Sequence, residues 1–207
     1  MLAQRYPDDY DGILAGAPGH ELTTLYSGLA QFQAHLLAEP AAHLSARQVA
    51  GLSAAVLQAC DVLDGVRDGV LENPLQCSFD PAAQGCDVQP APDCLSPAQV
   101  ASVRRLYDGV EAAPGQPAVG GLARGSEARW HAFLFGDKPG GAAFRAPIEG
   151  FFRHLVFDDP GWDLARFRPD RDGRATRRRL AAVLDAPDPD IGRFVARGGK
   201  LILWHGW

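Results

Sequence analysis

The sequence contains no long apolar run and only a modest amount of positive charge. No stretch approaches the ~20 consecutive apolar residues of a membrane-spanning helix. Lysine and arginine together number 20, against 25 aspartates and glutamates, and the formal net charge is −5. The densest basic run, Arg177–Arg179, is typical of a solvated helix face. We therefore expect neither a membrane nor a nucleic acid among the partners of this protein.

The composition is that of a soluble globular protein, and hydrophobic spacing outlines its elements. Of the 207 residues, 46% are apolar and 22% are charged, which is an ordinary balance for a soluble domain. Helical spacing and N-capping serines predict helices over residues 22–38, after Ser45 and after Ser96. Apolar stretches at Gly12–Ala15 and Lys200–Trp204 predict strands, the second one buried, and each follows a helix and a turn. That order predicts an α/β fold with a parallel sheet.

Two segments lack a regular period and are predicted to be irregular. Residues 73–93 hold prolines, a glycine and cysteines, and residues 111–128 are rich in glycine and proline. The first segment predicts a cross-linked loop, and the second a loop or a hairpin.

An acidic segment, Cys60–Val70, carries the densest chemical pattern in the chain. Its three aspartates, Asp61, Asp64 and Asp68, fall at i, i+3 and i+7, and the last two directly precede glycines. Glycine lets the backbone turn back sharply, so such a loop can aim several oxygens at one point. Ca²⁺ takes about six to eight oxygen ligands, and the spacing is not that of an EF-hand. The pattern predicts a calcium site; the alternative is a solvated acidic turn, because Asp-Gly pairs are common in turns.

Apolar residues between the acids favour the calcium interpretation. They are expected to pull the loop against a core; they are Val62, Leu63, Val66, Val70 and Leu71. Unpaired carboxylates held this close would repel one another strongly, and a bound cation would remove the repulsion.

The same segment resembles the calcium loop of the tannase and feruloyl esterase family. These proteins are α/β-hydrolases with a large lid domain, and they include the hydrolase of mono(2-hydroxyethyl) terephthalate. Further matching segments follow in the expected order; they are residues 4–7, 11–18, 157–163 and 196–207. The resemblance implies that Ca²⁺ is bound by the side chains of Asp61, Asp64 and Asp68 and by the backbone carbonyls of Val66 and Val70.

The resemblance also implies how the chain is divided. Residues 1–20 and 190–207 would form part of the α/β-hydrolase sheet, and residues 21–189 a mainly helical and irregular, disulfide-linked lid. The family's nucleophile would lie just upstream of Met1, and its aspartate and histidine beyond Trp207. No serine here has the Gly-x-Ser-x-Gly setting of a hydrolase nucleophile. The chain is therefore expected to be an internal fragment without a triad member, and inactive alone.

Four cysteines allow three pairings, and four reduced thiols or a zinc site are the alternatives to disulfides. No Cys-x₂-Cys spacing supports zinc. Nearest-neighbour pairing, Cys60–Cys77 and Cys86–Cys94, is the simplest, and it agrees with the disulfides of the family. Disulfides predict an oxidising compartment, so we expect a secreted or periplasmic protein.

Aromatic residues are dense between Trp130 and Trp162, where they could form plain core or line an acyl pocket. The resemblance implies a serine esterase that cleaves esters of aromatic acids of the feruloyl, galloyl or terephthaloyl type. The alternative is a non-catalytic, disulfide-bonded and calcium-stabilised binding module. The sequence does not indicate an oligomeric state.

Overall fold

The computed structural model describes residues 1–111 and 118–206, which form a small parallel sheet and a larger helical region. The helices are α1 (Leu2–Arg5), α2 (Leu22–Ala38), α3 (Ala46–Cys60), α4 (Pro97–Asp108), α5 (Arg145–Gly150), α6 (Arg174–Leu184) and α7 (Gly192–Ala196). The strands are β1 (Gly12–Gly16), β2 (Val110–Glu111), β3 (Ala118–Val119) and β4 (Lys200–Trp204). No helix within the described ranges is both long and apolar enough to cross a membrane.

The two ends of the chain meet in a parallel strand pair. β1 and β4 run side by side in register from Gly12 opposite Lys200 to Gly16 opposite Trp204. Gly198 takes a positive φ of 92° in the turn before β4, a conformation that glycine adopts without steric cost. The parallel sheet that the order of elements predicts is therefore present, and the α/β class is confirmed.

The prediction that β4 is buried is wrong for this chain. Ile202, Leu203 and Trp204 are 61–63% exposed. β1 is the one strand that pairs with β4 among the described residues, so the sheet is too small to cover its own apolar faces.

Serine capping boxes start the two helices predicted to follow Ser45 and Ser96. In each box the serine hydroxyl accepts a hydrogen bond from the backbone N–H three residues later, and the side-chain oxygen of that later residue, a glutamine, accepts from the serine backbone N–H. The two boxes also contact each other, because the Gln48 amide donates to Oε1 of Gln99 over 3.0 Å. The capping boxes therefore begin α3 and α4, and they also join the N-terminal ends of these two helices.

Two apolar clusters form the core, and α2 contributes to both. The first joins α2, α3 and α4 around Leu36, Leu52 and Val103. The second joins α2 to the segment after α5, where Phe152 stacks on Trp162 with ring centroids 4.8 Å apart. Two π-helical turns, His131–Phe135 and Phe151–Val156, carry three of the buried aromatic side chains, Phe135, Phe151 and Phe152.

A buried carboxylate joins the start and the end of the helical region. Asp185 follows α6 and is 5% exposed, and its Oδ1 accepts from the backbone N–H of Thr23 in the first turn of α2 over 3.0 Å. Its Oδ2 accepts from the Thr23 hydroxyl over 2.5 Å. Arg5 donates to the carbonyl of Asp185 over 2.7 Å.

The segment predicted as a loop or hairpin, residues 111–128, begins as a hairpin. β2 and β3 pair antiparallel, with Val110 opposite Val119. Residues 112–117, within that predicted segment, and Trp207, within the C-terminal segment of the resemblance, lie outside the described residues.

Candidate functional site: an aromatic cavity beside an acidic loop

A cavity of about 560 Å³ opens between α2, the end of α4 and the segment from residue 120 to residue 148. Its walls are almost entirely apolar. Among the lining residues are Leu25, Tyr26, Phe32, Trp130, Phe133 and Phe144. A volume in this range is typical of sites that bind small organic molecules.

Aromatic side chains shape both the floor and the rim of the cavity. Tyr26 stacks on Phe151 with ring centroids 4.2 Å apart and planes at 19°. Phe133 and Phe144 pack together at 5.2 Å and are 40% and 36% exposed. Flat apolar faces of this kind hold an aromatic ring well.

The structure divides the aromatic segment between the core and the lining of the cavity. Phe135, Phe152 and Trp162 are buried in the core, whereas Phe133 and Phe144 line the cavity at its exposed rim. The sequence did not indicate which aromatic side chains would line the cavity, because all of them belong to one dense aromatic segment.

The polar groups at the cavity do not form a hydrolytic centre. Arg105 and Arg129 line it, and so does Ser126. The Ser126 hydroxyl donates to the carbonyl of Ala123 over 2.6 Å and accepts from the Trp130 indole N–H over 3.1 Å. Within the described residues no histidine makes a hydrogen bond to a serine hydroxyl. The cavity has the volume to hold a small organic molecule, but none of the described residues that line it is a nucleophile activated by a neighbouring base.

A buried carboxylate, Glu127, lies behind one wall of the cavity. It has no exposed surface. Its Oε1 accepts from the Tyr107 hydroxyl over 2.7 Å, and both carboxylate oxygens lie 3.0 Å from the backbone nitrogen of Gly125. Burial raises the pKa of Glu127, and the hydrogen bond from Tyr107 opposes that shift. Burial and the Glu127 carboxylate raise the pKa of Tyr107, so its hydroxyl remains a donor. Sequence reasoning missed Glu127, because a single glutamate in a polar loop carries no pattern.

The acidic loop is curled as its glycines predict. Gly65 and Gly69 take positive φ angles of 94° and 81°. Each aspartate accepts a backbone N–H: Asp61 from Gly69 at 3.0 Å, Asp64 from Val66 at 2.9 Å and Asp68 from Val70 at 3.0 Å. Each of these carboxylates is therefore hydrogen-bonded to the backbone of its own loop.

One expectation about this loop, that its apolar residues pull it against the core, is corrected by its geometry. Val62, Leu63, Val66 and Val70 are 45–61% exposed, and only Leu71 of the five apolar residues is buried. The loop lies on the surface because its backbone curls around its own carboxylates instead of packing its apolar side chains inward. In the described part of the chain, no group of three or more His, Cys, Asp or Glu side chains is arranged to hold a metal ion.

Two carbonyl oxygens of the loop backbone are free of hydrogen bonds from the described residues. Among the described residues, none donates a hydrogen bond to the carbonyl oxygens of Val66 and Val70. These are the two carbonyls that the resemblance assigns to Ca²⁺. The three aspartates would have to turn from backbone N–H groups toward the ion to complete the site.

One disulfide closes the segment that begins with the acidic loop, and a second disulfide closes a shorter loop that follows it. Cys60 bonds Cys77 and Cys86 bonds Cys94, with Cα atoms 5.4 and 4.9 Å apart. No described cysteine is free. The nearest-neighbour pairing thus agrees with the structure, and it excludes the zinc and thiol alternatives.

Comparisons with known proteins agree over the whole chain. The sequence model described as "Tannase and feruloyl esterase" matches residues 1–207. An uncharacterised esterase of Xanthomonas campestris pv. campestris is 34% identical over 226 aligned residues, covering 100% of this chain and 38% of that protein. A probable feruloyl esterase B-2 of Aspergillus flavus is 34% identical over 206 residues, covering 99% and 38%. The chain therefore spans under two fifths of the length of these curated relatives.

Solved structures show the same similarity in three dimensions. Feruloyl esterase B from Aspergillus oryzae superposes with a TM-score of 0.86 at 25% identity, covering 99% of this chain and 41% of that one. Tannin acyl hydrolase from Aspergillus niger has a TM-score of 0.72 at 18% identity, which shows a shared fold alone. By its sequence from end to end and by its fold, the chain belongs to the tannase and feruloyl esterase family.

Proposed function

We propose that this chain supplies the lid and two core strands of a secreted serine esterase that hydrolyses esters of aromatic acids. In this proposal residues 21–189 are the lid, and residues 1–20 and 190–207 belong to the α/β-hydrolase core. The observation that carries the proposal is the aromatic-rimmed cavity of about 560 Å³ in a member of a family of esterases.

The cavity suits the acyl part of such a substrate. A feruloyl, galloyl or terephthaloyl group presents one flat ring, and the Tyr26, Phe133 and Phe144 rings offer faces and edges for it. An aromatic pair contributes about 0.5–1.5 kcal/mol beyond the area that it buries. This chain's own residues would bind the ring, orient the ester and exclude water from it.

Bond cleavage is assigned to residues outside this chain. In the mechanism that family membership supports, serine attacks the ester carbonyl, histidine moves the proton and aspartate orients the histidine. Backbone N–H groups stabilise the oxyanion. The lack of a Gly-x-Ser-x-Gly sequence in the 207 residues and the greater length of the relatives support this assignment.

Hydrolysis of methyl ferulate and methyl gallate by the full-length protein tests the proposed activity. The variant Phe133→Ala removes a rim ring, so we expect a raised KM with kcat little changed, because the ring is bound alike in ground and transition states. Tyr10→Ala, which removes an exposed ring outside the cavity lining, is the matched control. Absence of turnover of aromatic esters by the wild-type protein would refute the proposal.

Calcium in the acidic loop is the second part of the proposal. The side chains of Asp61, Asp64 and Asp68 with the carbonyls of Val66 and Val70 would hold the ion, and its charge would fix the loop between Cys60 and Leu71. Binding to the folded state alone stabilises it by RT ln(1+[L]/Kd). Support comes from the two αL glycines and from the carbonyls that accept no bond from the described residues.

Thermal unfolding with and without a chelator tests the calcium site. We expect added Ca²⁺ to raise the unfolding temperature of the wild type and of Asp9→Asn, an exposed aspartate of another turn. Asp64→Asn should abolish the effect. A calcium response that is unchanged in Asp64→Asn would place the ion elsewhere.

Secretion is the third part of the proposal. Two disulfides persist in an oxidising compartment and are rare in the cytosol. Detection of the protein in the culture medium or periplasm, with both bridges formed, is the expected result.

A further inference from the structure

One segment, Leu122–Trp130, separates the cavity from the base of the acidic loop; we call it the cavity wall. On its cavity side, Leu122, Gly125, Ser126 and Trp130 are lining residues. On its other side, the Leu71 side chain lies 3.6 Å from the position that a Cβ atom on Gly125 would occupy. A change in the conformation of this segment therefore changes the cavity.

The wall turns sharply at Gly125, where φ is +95°. The backbone N–H of this residue belongs to no helix or strand, and it donates to a side chain instead of to a backbone carbonyl. Glu127 is its acceptor, through both carboxylate oxygens at 3.0 Å. The carboxylate therefore stabilises the turn from within.

Glu127 also ties the wall to α4 through the Tyr107 hydroxyl at 2.7 Å. The Tyr107 ring packs on Trp130 with centroids 5.3 Å apart. The Arg124 guanidinium lies 4.4 Å above the same Tyr107 ring and donates to the carbonyl of Phe79 over 2.9 Å. Among the described residues, Tyr107 and Arg124 are the titratable and charged side chains that act on the Glu127 carboxylate.

We propose that Glu127 is a positioning residue: by holding Gly125 and Tyr107 it sets the shape of the cavity wall, and through the wall the affinity of the cavity for an aromatic group. The identity of that group as an acyl moiety rests on the proposed function. Glu127 itself does not line the cavity.

Three readouts on the full-length protein test this role. The first two are the dissociation constants of ferulic acid and of 1-anilinonaphthalene-8-sulfonate, an apolar fluorophore, each measured across the acid range. The third is the separation of kcat from KM for methyl ferulate. We expect Tyr107→Phe to weaken binding of both probes about tenfold, or about 1.4 kcal/mol, because Glu127 loses its hydrogen bond to α4. KM should rise with kcat nearly unchanged.

The pH profile separates positioning from general stability. In the wild type, protonation of Glu127 weakens its charge-assisted hydrogen bonds, so probe affinity should fall as the solution becomes acid. The midpoint should lie above the pKa of an ordinary glutamate, because burial raises the pKa of this carboxyl group. Glu127→Gln should bind about tenfold more weakly than the wild type near neutral pH, with no such pH dependence. Glu39→Gln and Tyr10→Phe, at exposed positions, are the matched controls and should behave as wild type.

Each outcome is informative. If Glu127→Gln keeps both the affinity and the pH profile of the wild type, the positioning role is overturned, even when methyl ferulate is hydrolysed. If the wild type neither binds ferulic acid nor hydrolyses its ester, the proposed function is wrong, and the fluorophore still decides the role of Glu127. Circular dichroism verifies that each variant folds. If Glu127→Gln does not fold, the binding and kinetic measurements on Tyr107→Phe decide the role of Glu127.

Discussion

Replacement of Asp185 by alanine is predicted to loosen the junction between the strand pair and the helical region. Asp185 accepts the backbone N–H and the hydroxyl of Thr23 at the start of α2. Glu21, the residue directly before α2, makes no capping hydrogen bond to the helix with its own side chain. Asp185 thus acts as an N-cap supplied from 162 residues away in sequence.

The magnitude follows from the bonds that would be lost. An N-cap contributes about 0.5–2 kcal/mol, and a hydrogen bond to a charged group about 1.5–3 kcal/mol. Because Asp185 is 5% exposed, water does not replace the lost partners. We expect Asp185→Ala to lower the free energy of unfolding by about 3 kcal/mol, a large part of the ~5–15 kcal/mol that a protein has.

Urea unfolding of the full-length protein, followed by circular dichroism, measures this loss. Asp9→Ala, at an exposed turn aspartate, is the control and should stay within about 0.5 kcal/mol of the wild type. Thr23→Val completes a double-mutant cycle, whose coupling energy should be about 1 kcal/mol or more. If Asp185→Ala unfolds within about 0.5 kcal/mol of the wild type, the trans-capping argument is wrong.

Four further predictions concern other parts of the chain. Replacing Cys86 and Cys94 together by serine should lower stability by about 2.5 kcal/mol through loop entropy, as measured by urea unfolding. Phe152→Ala removes a fully buried ring and should cost about 3–5 kcal/mol in the same assay. Burial, helped by the charge of Arg105, lowers the pKa of His35 from 6.5 in the folded protein. Because the unfolded state binds the proton more readily, the free energy of unfolding should fall as the pH drops below 6.5. This fall should be smaller in His35→Gln. The 207 residues alone should hydrolyse no aromatic ester above background, and any turnover would place a nucleophile inside this chain.

Local chemistry explains why much of this fold was predictable. The N-terminal ends of α3 and α4 follow directly from Ser45 and Ser96, since a cap and its glutamine lie within three residues of each other. The curl of the acidic loop follows from Gly65 and Gly69 in the same way. Nearest-neighbour disulfides, the hairpin and the parallel pair of strands were also within reach of the sequence.

Burial was less predictable, because it depends on neighbours distant in sequence. The apolar residues of β4 looked like those of a buried strand, yet its faces are exposed because β1 is its one described strand neighbour. The same reasoning failed for Val66 and Val70 in the acidic loop, where backbone N–H groups already bind the carboxylates.

The sequence by itself therefore determined the family, the elements and the covalent links, since each depends on residues that are near one another or on a motif in order along the chain. The tertiary structure alone decided which aromatics face the cavity and which acids are buried. Phe133 and Phe135 belong to the same turn, yet one rims the cavity and the other is core, because the rings of Phe32 and His43 pack on Phe135. Glu127 and Asp185 acquire their roles from Tyr107 and Thr23, partners that only folding brings within hydrogen-bond distance.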